Sequence, residues 1–220
     1  MPYFFHYRKK ISLPGALTVL PLACSLIFFF LSCNPPNGEL VNGNFESGRS
    51  VGWSEYSEQG YAVIGTGSFF ASTDIQPPVT PRSGSWMGRI GGYSYEINSI
   101  SQTVTIPDTK PMYLAFYAQT RTANTSECGG LFVGAEVSIV INNEKIYSAY
   151  LCQYNDLYEW TLSFIDVSAL AGKSAQIVFK AESANSVWSF LYLDDVSITS
   201  AGPSSNDISA GAVLLPSAQE

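Results

Sequence analysis

The stretch Trp188-Ser-Phe-Leu-Tyr-Leu-Asp-Asp-Val-Ser-Ile198 alternates large apolar residues with polar ones and sets two adjacent carboxylates, Asp194 and Asp195, inside the run. Such alternation is the mark of a strand with one buried face. Neighbouring acids repel each other and lower β propensity, so something has to offset their charge. A bound cation does so, and a further acid stands far upstream in Leu40-Val-Asn-Gly-Asn-Phe-Glu46. The pattern predicts a β-sandwich whose first and last strands meet at these acids, across a calcium ion. In the competing arrangement the same acids cap turns or pair with Arg49 or Arg89.

Between those ends the chain is a series of short alternating runs punctuated by turn residues. Strands are expected at Leu40–Phe45, near Tyr61–Ile64 and Ser68–Ser72, and over Ser85–Ile90, Ile100–Ile106 and Met112–Gln119. In the last of these Leu114, Phe116 and Ala118 share one face, and Tyr113, Tyr117 and Gln119 share the other. Val133–Ile141 and Lys145–Leu151 flank Asn142-Asn143, a pair that tolerates positive φ and suits a tight hairpin. Trp160–Val167 and Ala175–Ala181 surround Ser168–Gly172, which fits one helical turn ended by glycine. Trp53, Trp86 and Trp188 are expected in the core. No segment sustains a 3.6-residue period. The fold class expected is all-β, a two-sheet antiparallel sandwich or jelly roll. Residues 201–220 lose all alternation and read as a flexible tail.

Residues 1–33 read differently. Arg8, Lys9 and Lys10 precede an apolar run from Ile11 to Leu31, and Phe30-Leu-Ser-Cys33 follows. A basic start, an apolar middle and a small residue before the cut are the features of a secretory signal. The ending resembles a bacterial lipobox, which makes Cys33 the candidate lipidation site, although Phe30 stands where that motif prefers Leu. The alternative is an uncleaved anchor helix, since the run is long enough to span a bilayer. Residues 34–39 then form a tether to a domain over 40–200. Beyond the leader the chain carries 8 basic and 18 acidic residues, a surface that repels phosphate backbones and argues against nucleic acid as a partner. Export also bears on Cys128 and Cys152, which flank the expected hairpin. Antiparallel pairing brings them together, so a disulfide is expected there, contributing about 3 kcal/mol.

The succession Asn42-Gly-Asn-Phe-Glu46, Gly52-Trp53, Ser83-Gly-Ser-Trp-Met-Gly-Arg-Ile-Gly-Gly92, Ser101-Gln-Thr-Val-Thr-Ile-Pro107, Asp166-Val-Ser-Ala-Leu-Ala-Gly172 and Leu193-Asp-Asp-Val-Ser-Ile198 resembles the bacterial galactose-binding-like jelly rolls. That group overlaps the carbohydrate-binding modules, and the resemblance runs from Leu40 to Ser200. It implies a jelly roll without catalysis of its own. In calcium-binding members the ion is held by the acid of the first motif, an acid of the last and backbone carbonyls. The matching positions are Glu46 and Asp195, with Asp194 in reserve.

The residue inventory narrows the chemistry further. The one histidine, His6, lies in the leader, so no histidine-based triad or dyad can form in the domain beyond it. Carboxylate pairs remain for glycoside hydrolysis, but nothing in the spacing of Asp74, Glu96, Asp156 and Glu159 singles out two of them. Sugar recognition needs exposed aromatic rings with polar groups beside them. Tyr113, Tyr117 and Gln119 on one strand face, and Tyr93 and Tyr95 in a Gly-Ser loop, are the candidate ligand-binding residues, and Tyr154 and Tyr158 form a further loop pair. The expected partner is a glycan, or in the alternative reading another protein of the cell envelope. Membrane attachment would run through the N-terminal lipid or anchor.

Overall fold

Alternation becomes layering in the computed structural model, which describes residues 40–71, 75, 77–92, 94–123, 135–151, 158–183, 188–209, 211 and 213–215. Eleven strands are present in this part of the chain: β1 (Ser54–Ser57), β2 (Ile64–Thr66), β3 (Trp86–Gly92), β4 (Ile97–Thr105), β5 (Tyr113–Thr122), β6 (Ala135–Ile141), β7 (Glu144–Leu151), β8 (Thr161–Asp166), β9 (Ser174–Ser183), β10 (Ser189–Thr199) and β11 (Val213–Leu215). They form a five-stranded sheet, β1-β4-β9-β6-β7, and a six-stranded sheet, β11-β8-β5-β10-β3-β2. The protein is a two-sheet β-sandwich, as the sequence pattern requires. One pairing departs from the antiparallel expectation: β11 runs parallel to β8, Val213 opposite Ser163.

Side chains that alternate inward make the core. Leu114, Phe116 and Ala118 of β5 face Ala175, Ile177, Phe179 and Ala181 of β9, all buried. Phe179 meets Phe116 edge-on at 5.2 Å and Trp53 at 6.3 Å, and Trp53 stacks on Phe45 at 5.6 Å. Two amides stand inside this apolar layer, each satisfied by backbone. Asn98 bonds the N–H and the carbonyl of Gly91, and Gln102 does the same for Val41.

The hairpin β6–β7 turns through Asn142 and Asn143 with φ of 50° and 68°, the left-handed geometry expected of that pair. A single 3-10 turn, Ser168–Leu170, precedes Gly172 at φ 76°. Other segments differ from the pattern. Leu40–Phe45 is a chain of turns rather than a strand. Asn42 and Phe45 have φ near +60°, and the Asn42 side chain accepts from Ser47 N and donates to the Gly48 and Val51 carbonyls, closing the loop on itself. The loop still meets the last long strand, since Val196 N–H donates to the Gly43 carbonyl at 2.9 Å. A Cβ on Gly43 would fall 2.0 Å from the Val196 oxygen, so only glycine permits the approach. Ser68–Ser72 likewise holds no strand among its described residues. Gly67–Phe70 is a helical turn, α1, capped by the Thr66 hydroxyl accepting from Phe69 N. Within 201–220, read as a flexible tail, lie the helix α2 (Ser205–Ser209) and β11. Residues 1–39, including Cys33, and also Cys128 and Cys152, lie outside the described residues.

Candidate functional site on the outer face of the six-stranded sheet

The strand β10 is buried on both sides. Leu191 and Leu193 face the inter-sheet core, while Phe190 and Tyr192, only 2% and 1% exposed, face outward into a second cluster with Met87, Phe70, Ile75 and Val79. The last three belong to α1 and the loop after it, so this irregular region folds back over part of the outer face. Trp160 and Trp188 are half-buried against the same cluster, which places both on the outer face and corrects the expectation that Trp188 is core. Trp188 stacks on Phe190 at 6.2 Å, and the Trp160 indole N–H donates to the Thr80 carbonyl at 3.0 Å.

Register then fixes what stands beside these rings. Tyr192 lies opposite Arg89 on one neighbour and Gln119 on the other, and Phe190 lies opposite Gly91 and Arg121. The Arg89 guanidinium sits between the rings of Phe70 and Phe190, 4.2 and 4.5 Å from their centroids. Arg121 lies 4.8 Å from the Tyr158 ring centroid and donates to the Tyr158 carbonyl, as does the Gln119 amide. Gln119 and Arg121 are buried, whereas Tyr158 is 60% exposed. Planar hydrogen-bonding groups thus lie against Tyr158, and Trp160 and Trp188 stand on the same face of the sheet. The first is well exposed and the other two half-buried.

The other expected ligand residues fall in different places. Tyr117 shares the outer face, but the Arg82 guanidinium covers its ring at 3.6 Å. Tyr113 is at the far end of the same strand, edge-on to Phe164 and closely packed by Gly202. Tyr95 is 70% exposed with φ 58°, in the loop leaving β3, and Tyr93 lies outside the described residues. Of the carboxylates weighed for hydrolysis, Asp74 and Asp156 lie outside the described residues and Glu159 is exposed. Glu96 is fully buried, accepting from the Ser57 hydroxyl and Gln59 N.

Glu46, Asp194 and Asp195 do converge, on the turn Arg82–Trp86. The Glu46 carboxylate accepts from Ser85 N and Trp86 N at 2.8 and 2.7 Å, and lies where Gly84 leaves room for it. Asp194, fully buried, accepts from Ser83 N and from Asp195 N. Asp195, at φ 48° in a bulge of β10, takes the Ser83 hydroxyl and the Arg82 guanidinium. Burial raises the Asp194 pKa to about 6 against the backbone amides of Ser83, Asp195 and Arg82, with the Asp195 charge adding to the rise. The partners of the three acids among the described residues are hydrogen-bond donors of the chain itself, and Arg82 supplies positive charge beside the adjacent acids. Among the described residues no three His, Cys, Asp or Glu side chains gather so as to hold a metal ion.

No family model and no curated protein matches the sequence. Solved structures do. A family 61 carbohydrate-binding module in complex with β-1,4-galactotriose is 13% identical at a TM-score of 0.48, over 74% of this chain and 99% of that one. A family 16 carbohydrate-binding module is 16% identical at 0.41, over 73% and 98%. A cyclase from Fischerella sp. TAU, in complex with 4-(1H-indol-3-yl)butan-2-one, is 12% identical at 0.42, over 75% and 97%. At such low identity the likeness speaks to the fold alone, so what this sandwich does has to be argued from its own residues.

Proposed function

We propose that the domain is a non-catalytic carbohydrate-binding module that takes its glycan at the Tyr158–Trp160–Trp188 end of the outer face of the six-stranded sheet. The observation that carries this reading is the exposed Tyr158 ring stacked against buried Arg121, its carbonyl held by buried Gln119, with two half-buried indoles on the same face. Aromatic faces stack on the apolar faces of pyranose rings, and guanidinium and amide groups meet the hydroxyls around them. A platform braced in this way loses little side-chain freedom on binding, which favours affinity. Tyr95, in the loop leaving β3 at the same end of the sheet, extends the rim. The chain is exported and held at the membrane through Cys33, a reading that rests on the leader sequence.

A glycan array probed with the full chain tests the site. Tyr158→Ala and Trp188→Ala should each lower binding of the best glycan by about tenfold or more, since aromatic anchors dominate such contacts. Tyr113→Ala, at the far end of the sheet, should leave it unchanged. Binding that survives both substitutions would place the glycan elsewhere. The attachment is tested by Cys33→Ser, which should release the protein from membranes.

A further inference from the structure

The two sheets do not close on each other everywhere. Between the edge strand β7 and the β8–β11 edge of the other sheet lies a cavity of about 170 Å³. It arises because two positions that point inward carry alanine: Ala118 on β5, next to Phe116 on the same face, and Ala149 on β7, next to Tyr147. Val213 and Leu215 of β11 close its mouth. A cavity of roughly 150 Å³ lined by aliphatic and aromatic side chains stays dry and accepts benzene, so this volume takes one small ring.

Thr120, Ser138 and Ser163 bring hydroxyl side chains to the lining, and Ser163 is the one on β8. Ser163 of β8 pairs with Phe116 in register, points to the same interior and is 5% exposed. Its side chain lines the cavity. A hydroxyl that faces the cavity without a protein partner can take one hydrogen bond from a ligand lodged there. Tyr147, on the opposite wall, is half-buried, and that burial raises its phenol pKa, so it stands there as a neutral group.

We infer that the inter-sheet cavity is a binding site for a single-ring apolar molecule carrying one hydroxyl, a phenol-like compound, whose oxygen meets Ser163 and whose ring lies against Phe116 and Ala118. The site is independent of the glycan face, which lies on the other side of the same sheet. Entry is past β11, a three-residue edge strand joined to the sheet on one side only.

The test titrates the full chain with phenol and with toluene, following binding by ligand-observed NMR and by thermal denaturation. Both probes should bind and raise Tm, phenol more tightly. Ser163→Ala should weaken phenol by about 5- to 10-fold, the value of one hydrogen bond, and leave toluene unchanged. Ala149→Phe, which fills the space, should abolish both, and if it fails to fold, Ala118→Val serves the same purpose. Absence of binding by either probe overturns the site. Phenol binding unaffected by Ser163→Ala overturns the ligand class, and binding that persists in the folded filled variant places the probes elsewhere.

Discussion

Arg82 is the residue on which the acidic corner depends. Its guanidinium reaches Asp195 and covers the Tyr117 ring at 3.6 Å, so it ties the turn before β3 to both β10 and β5. The ion pair is partly exposed, with side-chain accessibilities of 38% and 23%, which keeps its value at about 0.5–1 kcal/mol. The stacking on Tyr117 contributes roughly another 0.5–1 kcal/mol. Arg82→Gln should therefore lower stability by about 1–2 kcal/mol, and Tm by about 2–8 °C for a domain of this size. Part of that difference should disappear in 1 M salt, because the pair is screened while the stacking is not. A thermal melt of wild type and variant, each with calcium and with EDTA, reads all of this. The wild-type melt should be the same in both, since Arg82, the Ser83 hydroxyl and the amides of Ser83, Ser85, Trp86 and Asp195 occupy the carboxylates. The reasoning is refuted if Arg82→Gln melts with the wild type while EDTA lowers the wild-type Tm, for then Glu46 and Asp195 hold a calcium ion, as the resemblance to the calcium-binding jelly rolls implies.

The remaining predictions concern neighbouring features. Asp194 is protonated in the native state over a pH range in which the unfolded chain has already lost the proton, from about 3.8 to about 6. Its contribution is present in full only below about pH 3.8 and is lost as pH rises from there through about 6, so urea denaturation should show the wild type falling relative to Asp194→Asn by roughly 2–3 kcal/mol between about pH 3 and about pH 7, and a constant difference would sink the assignment. Gly43→Ala should cost at least about 2 kcal/mol by pushing a methyl group into the Val196 carbonyl, and a neutral result would mean that the N-terminal turn does not dock on β10. Peptide mapping without reductant should recover Cys128 joined to Cys152; two alkylated thiols would end that expectation.

Much of the fold was legible because the inward faces of β4, β5, β6 and β9 keep strict period-two alternation, and because Asn142-Asn143 names its own turn. The exceptions share a cause. Asn42-Gly-Asn-Phe-Glu46 has the apolar residues of a strand, but two asparagines and a glycine prefer to bond locally, and here the loop made by Asn42 wins over pairing. The corner acids were legible as a set, since all three do converge. Their partner was not: Arg82 lies 113 positions from Asp195, and spacing alone favours neither it, Arg49 nor Arg89. Arg49 in fact pairs with Glu55.

The candidate glycan face was harder to read for a more general reason. Alternation says which residues share a face, never which face is covered. In β10 the run Phe190-Leu-Tyr-Leu193 is buried throughout, as in strands sandwiched between two layers, yet the second layer comes from the irregular region around Phe70, Ile75 and Val79, where no periodicity announces it. That loop covers the β3 side of the face and leaves Tyr158 exposed beyond it. The boundary between core and site is thus drawn by a loop rather than by a strand. A change that lifts the loop, such as Val79→Ala, should expose more of Phe190 and Arg89 without disturbing the inter-sheet core. Such a variant should widen the range of glycans bound at some cost in stability.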